Sequence, residues 1–349
     1  MTPAHVHALI EHGFTERQAR FLGLVMRHSG VCVPRQYAQA AGIAQGAKCN
    51  AFFDRLVRRG HARAIECVHN RGRLYLVHSR PLYRAIGEPA SRYRRPVSPR
   101  LALERVMRLD AILSTPADQW LTTPAEKAAA LPLTADVPLP DGLPIGLQTG
   151  GRIVVLYLAP EPRPGAFRAF LRAHVPLLER VTHWTVCIVL PRRFGRADDY
   201  RRAVHEEWES PLTPALIADL KPYFEARTHL HATCDPQAED RFRAGHQRFS
   251  AARVEDLYRR WRTQGDDVFA NPSTPAITEA LERGAGRVEA FVLPHSYRHL
   301  SPLVGRSRST DEEVERGVET IAHRGDHGRR RPQPGSSTPW RARERLVVM

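Results

Sequence analysis

Apolar positions near the start of the chain recur at helical spacing and then switch to alternation. A short helix is predicted over 5–12. Thr15-Glu16-Arg17-Gln18 has the form of a capping box, and Phe21, Leu22, Leu24, Val25 and His28 behind it mark one buried helical face, closed by Ser29-Gly30. Val33-Pro34 opens a second helix over 35–41, ended by Gly42, and a third follows over 47–59, closed by Gly60. Two extended segments, 62–68 and 73–78, flank the turn His69-Asn70-Arg71-Gly72. Helices followed by a β-hairpin give the element order of a winged helix-turn-helix, expected over 1–88.

Residues 89–138 read as a basic, proline-punctuated linker with connecting helices. One helix is predicted over 101–113, with Leu101, Leu103, Val106, Leu109 and Leu113 as its apolar surface, and another near 124–131. From 139 to 304 the rhythm is that of an α/β domain. Strands at 143–147 and 152–158 join through Thr149-Gly150-Gly151, a helix covers 165–180, and 184–190 is a compact apolar strand. That series implies a mixed sheet with at least one crossover. Helices are predicted at 196–208, 213–226, 238–264 and 274–283, and a last strand at 288–293. Beyond 305, charged residues mix with Gly, Pro and Ser, including Arg329-Arg330-Arg331-Pro332, so 305–349 is expected to be a mostly disordered basic tail. The expected fold class is α+β to α/β, an N-terminal winged helix-turn-helix plus a C-terminal mixed-sheet α/β domain.

Charge gives the first half of that architecture a partner. The 349 residues carry 52 Lys+Arg against 37 Asp+Glu, a formal +15. Residues 1–108 hold 19 basic and 6 acidic side chains, whereas 109–304 hold 23 and 24. Positive charge gathered on a helix-turn-helix pattern points to a polyanion, with double-stranded DNA first. Five scattered cysteines (Cys32, Cys49, Cys67, Cys187, Cys234) without a CxxC pair favour reduced thiols over a disulfide frame or a zinc site. No stretch approaches the ~18 consecutive apolar residues of a membrane helix, and the N-terminus lacks the apolar run of a secretory signal. A cytoplasmic protein is expected. Lysine is scarce (Lys48, Lys127, Lys221), so chemistry that needs one has few places to find it.

On a wheel of the third helix, Phe52, Phe53, Leu56 and Val57 share one side, and Ala47, Lys48, Asn50, Ala51, Asp54, Arg55 and Arg58 the other. Asn50 has the groups to pair with adenine, while Lys48, Arg55 and Arg58 can reach guanine or phosphate. Asp54 sits awkwardly against phosphate, and pairing with Arg58 four residues on would orient that arginine. Arg71 and Arg73 at the hairpin tip are placed for the backbone or the minor groove. Arg35 and Gln36 open the second helix and are candidates for phosphate. Arg92, Arg94 and Arg95 add a flexible basic strap. Winged helices also serve as protein-contact modules, and arginines on a helix are often only a solvated face, so RNA and protein partners stand beside DNA.

The segments FTERQARFLGLVMRHSGV, FFDRLVRRGHARAI and GRLYLVHSRPLYRAIG together resemble the replication-relaxation family of bacterial plasmids and mobile elements. The resemblance implies a winged helix joined to a nuclease-like α/β domain, acting in replication control or transcription regulation of a replicon. Restriction-like nucleases need an Asp at the start of one strand and an acid–x–Lys pair on the next, for Mg²⁺ and water. Here Asp141 precedes the hairpin, but the next strand runs Ile153-Val154-Val155-Leu156-Tyr157-Leu158-Ala159-Pro160-Glu161, with no such pair. DNA binding without catalysis or cofactor is expected, the α/β domain setting a homodimer or recruiting a partner. The alternative is a metal-dependent nuclease using Asp141 and Glu161.

Other candidates are weaker. His229, His231 and Cys234 form an HxHxxC string without a fourth ligand nearby, and His295 and His299 flank Tyr297 without the three-histidine cluster of a relaxase. No metal site is expected. No Walker lysine, GxGxxG after a strand or GxSxG occurs. Trp184, Trp208 and Trp261 read as packing residues.

Overall fold

A computed structural model describes residues 2–67, 72–131, 142–160, 164–192, 197–209, 212–232, 236–269, 275–295, 297, 300 and 346–347. The protein is a mixed α+β chain of two compact units, Met1–Leu113 with Ser296–Leu346, and Ser114–His295 with Val347–Met349. The first unit thus takes in residues 89–113, which composition alone assigned to a linker. The tail expected to be disordered falls, apart from 346–347, outside the described residues.

In the first unit, α1 (Pro3–Glu11) and α2 (Glu16–His28) are followed by a two-residue strand, β1 (Val31–Cys32). The capping box of α2 forms: the Thr15 hydroxyl accepts from the Gln18 amide, and Gln18 Oε1 accepts from the Thr15 amide. Next come α3 (Pro34–Ala41), ended by Gly42 in the left-handed region, α4 (Ala47–Arg58), β2 (Ala62–Glu66) and β3 (Arg73–Val77). The three strands form an antiparallel sheet in the order β1-β3-β2, with Val31 opposite Leu76 and Ala64 opposite Tyr75. Two short elements escape the sequence pattern: β1 is too brief to show alternation, and α5 (Arg80–Ala85) follows the hairpin where no element was predicted.

An aromatic cluster joins α2, α3, α4 and β3. Tyr37 lies 4.4 Å from Phe52 and Phe53 4.3 Å from Tyr75, with Phe21 edge-on to both phenylalanines. These contacts fix which side of α4 faces inward: Cys49, Phe52, Phe53 and Leu56 are buried. Val57, expected on that side, is exposed at the edge of the stripe, and Cys49 takes its place. A final helix, α6 (Pro99–Ser114), packs Val106, Leu109 and Ile112 inward, while Leu101, expected in its apolar surface, is exposed. Gly30 lets the chain pass the turn after α2, because a Cβ there would sit 2.1 Å from the Tyr93 carbonyl oxygen.

The second unit is built on a mixed sheet. Its strands of three or more residues are β4 (Gln119–Leu121), β5 (Ile145–Leu147), β6 (Ile153–Leu158), β7 (Trp184–Pro191) and β8 (Gly286–Leu293), hydrogen-bonded in that order, with the two-residue β9 (Leu346–Val347) beyond β8. β4, β5 and β6 are antiparallel; β6, β7 and β8 are parallel. Every residue of β7 is buried, as a central parallel strand requires. Trp184 lies against β8 at Gly286, where a Cβ would meet its ring at 2.4 Å, and packs edge-on to Trp208.

Helices α7 (Pro124–Ala130), α8 (Pro164–Ala173), α9 (Val175–Leu178), α10 (Ala197–Val204), α11 (Pro214–Ala232), α12 (Pro236–Arg248), α13 (Ala252–Gln264) and α14 (Pro275–Glu282) complete the unit. The helix expected over 165–180 is two helices broken at His174, and that over 238–264 is two broken at 249–251. Tyr223, Phe224, Tyr258 and Phe269 build a separate apolar cluster in the helical part, with Trp261 packed against it. Cys32, Cys49 and Cys67 are buried free thiols. Among the described residues no helix is long and apolar enough to cross a membrane.

His174 makes the second unit acid-sensitive. Its ring lies 4.1 Å from that of Phe170 and tilted to it by 33°, and Nδ1 lies 2.7 Å from the Phe170 carbonyl oxygen. Burial holds its pKa below the ordinary histidine value, outweighing that hydrogen bond. Below about pH 6.5 the unfolded chain therefore takes up a proton that the folded chain refuses, so stability falls with pH. The urea midpoint of the second unit is expected to drop as pH falls from about 6.5 to 5, and to drop less in His174→Gln. Identical pH profiles for the two proteins would contradict this.

Candidate nucleic-acid interface

The aromatic cluster that buries one side of α4 necessarily presents the other. Ala47, Lys48, Asn50, Ala51, Asp54 and Arg58 are exposed on that helix. Lys48, Asn50, Asp54 and Arg58 have no ion pair or side-chain hydrogen bond among the described residues, and the expected Asp54–Arg58 pair does not form. Arg55 behaves differently. Its Nη2 donates to Gln18 Oε1 at 2.5 Å and its guanidinium lies over Phe14, so the residue that caps α2 also holds this arginine.

Beside α4 lies a groove of about 500 Å³, bounded by Asn50 and Asp54 on one wall and Arg73 and Tyr75 of β3 on the other, with Leu300 at its margin. Arg73 is exposed and reaches Glu66 across the hairpin at 3.8 Å. Burial raises the pKa of the Tyr75 phenol, which Arg73 counters by hydrogen bonding. The groove therefore offers a cationic rim, a carboxamide and a carboxylate. That set can hydrogen-bond base edges and attract phosphate.

Arg35 lines the same groove, but it and the buried Gln36 are tied into an internal network. Arg35 donates from Nη1 and Nη2 to the two carboxylate oxygens of Asp110, each at 2.6 Å. Gln36 is fully buried: its amide nitrogen donates to Asp110 and to the Val106 carbonyl, both at 2.9 Å, and its oxygen accepts from the Val33 amide. The Tyr297 hydroxyl donates to the same carboxylate at 2.5 Å. Burial first and Asp110 second hold that phenol well above the ordinary tyrosine range. Gln36 is thus closed to a phosphate, and Arg35 is already paired.

The strap at 92–95 is likewise structured. Arg92–Arg94 form a 3-10 turn. Arg94 donates to the carbonyls of Pro89 (2.7 Å) and His78 (3.3 Å), whereas Arg92, over the Tyr93 ring, and Arg95 are both exposed. Other arginines in the basic segment are also held internally: Arg27 pairs with Glu88, Arg105 is buried over Tyr93, and Arg108 donates to the Tyr93 hydroxyl at 2.9 Å. Part of the positive charge of residues 1–108 is therefore framework. The missed residue is Asp110, and its signal was legible: an acid set into the apolar stripe Val106–Leu109 must find buried donors.

Arg71, Asp141, Glu161, Cys234 and His299 lie outside the described residues, as does the side chain of His231. Among the described residues no group of three or more His, Cys, Asp and Glu is placed to hold a metal ion. Lys127 is fully buried in α7. No protein-family model, curated protein or solved structure matches the chain.

Removing one partner from a buried charge network strands the others. Asp110→Ala is expected to destabilise the first unit by about 3–5 kcal/mol in denaturant unfolding. Tyr297→Phe, which leaves the Arg35 and Gln36 bonds in place, should cost about 1–2 kcal/mol. Equal, small losses for both would show that Asp110 is not the centre of the network.

Proposed function

We propose that the first unit is a winged helix-turn-helix that binds double-stranded DNA, with α4 in the major groove and the β2–β3 hairpin as the wing. The observation that carries this reading is the exposed face of α4, where Lys48, Asn50 and Arg58 have no side-chain partner among the described residues while neighbouring arginines are held by the fold. Polar side chains spread across the exposed face of a helix are suited to base edges and phosphates. The element order α2, α3, α4, β2, β3 supports the same reading.

The second unit, on this reading, is a nuclease-like domain that works without catalysis. Antiparallel β5 and β6 followed by a helical crossover to parallel β7 is an order similar to a restriction-nuclease core. β6 itself carries only apolar residues and Tyr157, so the acid–x–Lys pair is missing where that chemistry would need it. The domain would set a homodimer or recruit a partner. Replication control or transcription regulation of a mobile element or plasmid is the role that the resemblance to replication-relaxation proteins suggests, and that resemblance rests on the sequence motifs alone.

Binding of the full chain to labelled random-sequence duplex across salt tests the proposal. Affinity should fall steeply with salt, and Lys48→Ala and Arg58→Ala should each weaken binding and flatten the log–log slope by about 0.9. The exposed Arg17→Ala, on α2 and not on α4, should change little. Loss of affinity in Arg17→Ala equal to that in Arg58→Ala would contradict an α4 interface.

A further inference from the structure

We infer that Asp54 is a specificity residue, accepting a hydrogen bond from the exocyclic amine of one cytosine in the major groove. This rests on the reading of α4 as the DNA-contacting helix. Duplex DNA carries a phosphate charge about every 1.7 Å along its axis, so an exposed carboxylate on the contacting face opposes binding unless something answers it. Among the described residues none pairs with Asp54: Arg58 stands one turn away unbridged, Arg55 is drawn to Gln18, and Arg73 to Glu66.

The position of Asp54 argues for bases rather than for bulk solvent. Ala47, Ala51, Asp54 and Arg58 lie within about 60° of each other on the helix, opposite the buried side. The two alanines hold nothing long enough to keep the duplex away, so a short carboxylate beside them on the same face can reach the groove floor. Asn50, one turn earlier, and Asp54 share the same groove wall. An acceptor-only side chain is matched by the amino donor of cytosine N4, and it is mismatched by the acceptors that guanine and thymine present there.

The test is selection by the full chain from a pool of random-sequence duplexes, with wild type, Asp54→Ala and Asp54→Asn in parallel. Wild type should enrich a sequence with cytosine at one position, and discriminate against its replacement by about tenfold. Asp54→Ala should lose that discrimination while binding the unselected pool severalfold more tightly. Asp54→Asn, which keeps an acceptor oxygen without the charge, should retain intermediate discrimination. An Asp54→Ala protein that selects the same cytosine as strongly as wild type overturns the inference but leaves DNA binding standing. Wild type that fails to bind the pool at low salt overturns both.

Discussion

A carboxylate sealed from water must be surrounded by donors, and Asp110 receives four: two from Arg35, one from Gln36 and one from Tyr297. The first unit depends on that requirement. It ties the start of α3 to α6 and to Tyr297, a residue separated from Asp110 by 187 positions. Tyr297 holds a positive φ of 58°, unusual for a bulky side chain and consistent with a position over-determined by its surroundings. The core around α2, α3, α4 and β3 is aromatic and apolar; α6 adds Leu109 to it and carries the buried carboxylate beside it.

Internal pairing of this kind sorts the arginines. Those that meet Asp110, Glu88, Tyr93 or backbone carbonyls hold elements together, and those on the open face of α4 do not. Net charge alone cannot make that distinction, because a guanidinium counts the same whether it braces a helix or faces solvent. Arg58 and Arg35 illustrate it: both lie on short helices of the basic segment, yet one is exposed and the other is bidentate on a buried acid. An interface assigned from charge is therefore narrower than the charge suggests.

Much of the fold was legible in the pattern of the chain. The capping box at Thr15, the glycine ends at Gly42 and Gly60 and the strands of the hairpin follow from local chemistry. So does the inward face of α4, apart from the exchange of Val57 for Cys49 at its edge. The strand–strand–helix–strand run of the second unit was legible for the same reason, because parallel buried strands are uniformly apolar. What sequence could not supply is long-range pairing. β1 exists only because β3 offers it partners, β4 because β5 does, and Arg35 and Gln36 are tied down by an acid about 75 residues away. The helix break at 249–251 was hidden because no proline or glycine stands there, whereas the one at His174 is marked by Pro176 two residues on.

Hydrogen exchange of the full chain with and without a random-sequence duplex tests the central claim most directly, because it locates contact without altering a residue. The account predicts added protection over Ala47–Arg58 and Arg73–Val77, with α11, α12 and α13 unchanged. Protection confined to the helices of the second unit, with α4 exchanging as in the free protein, would contradict it.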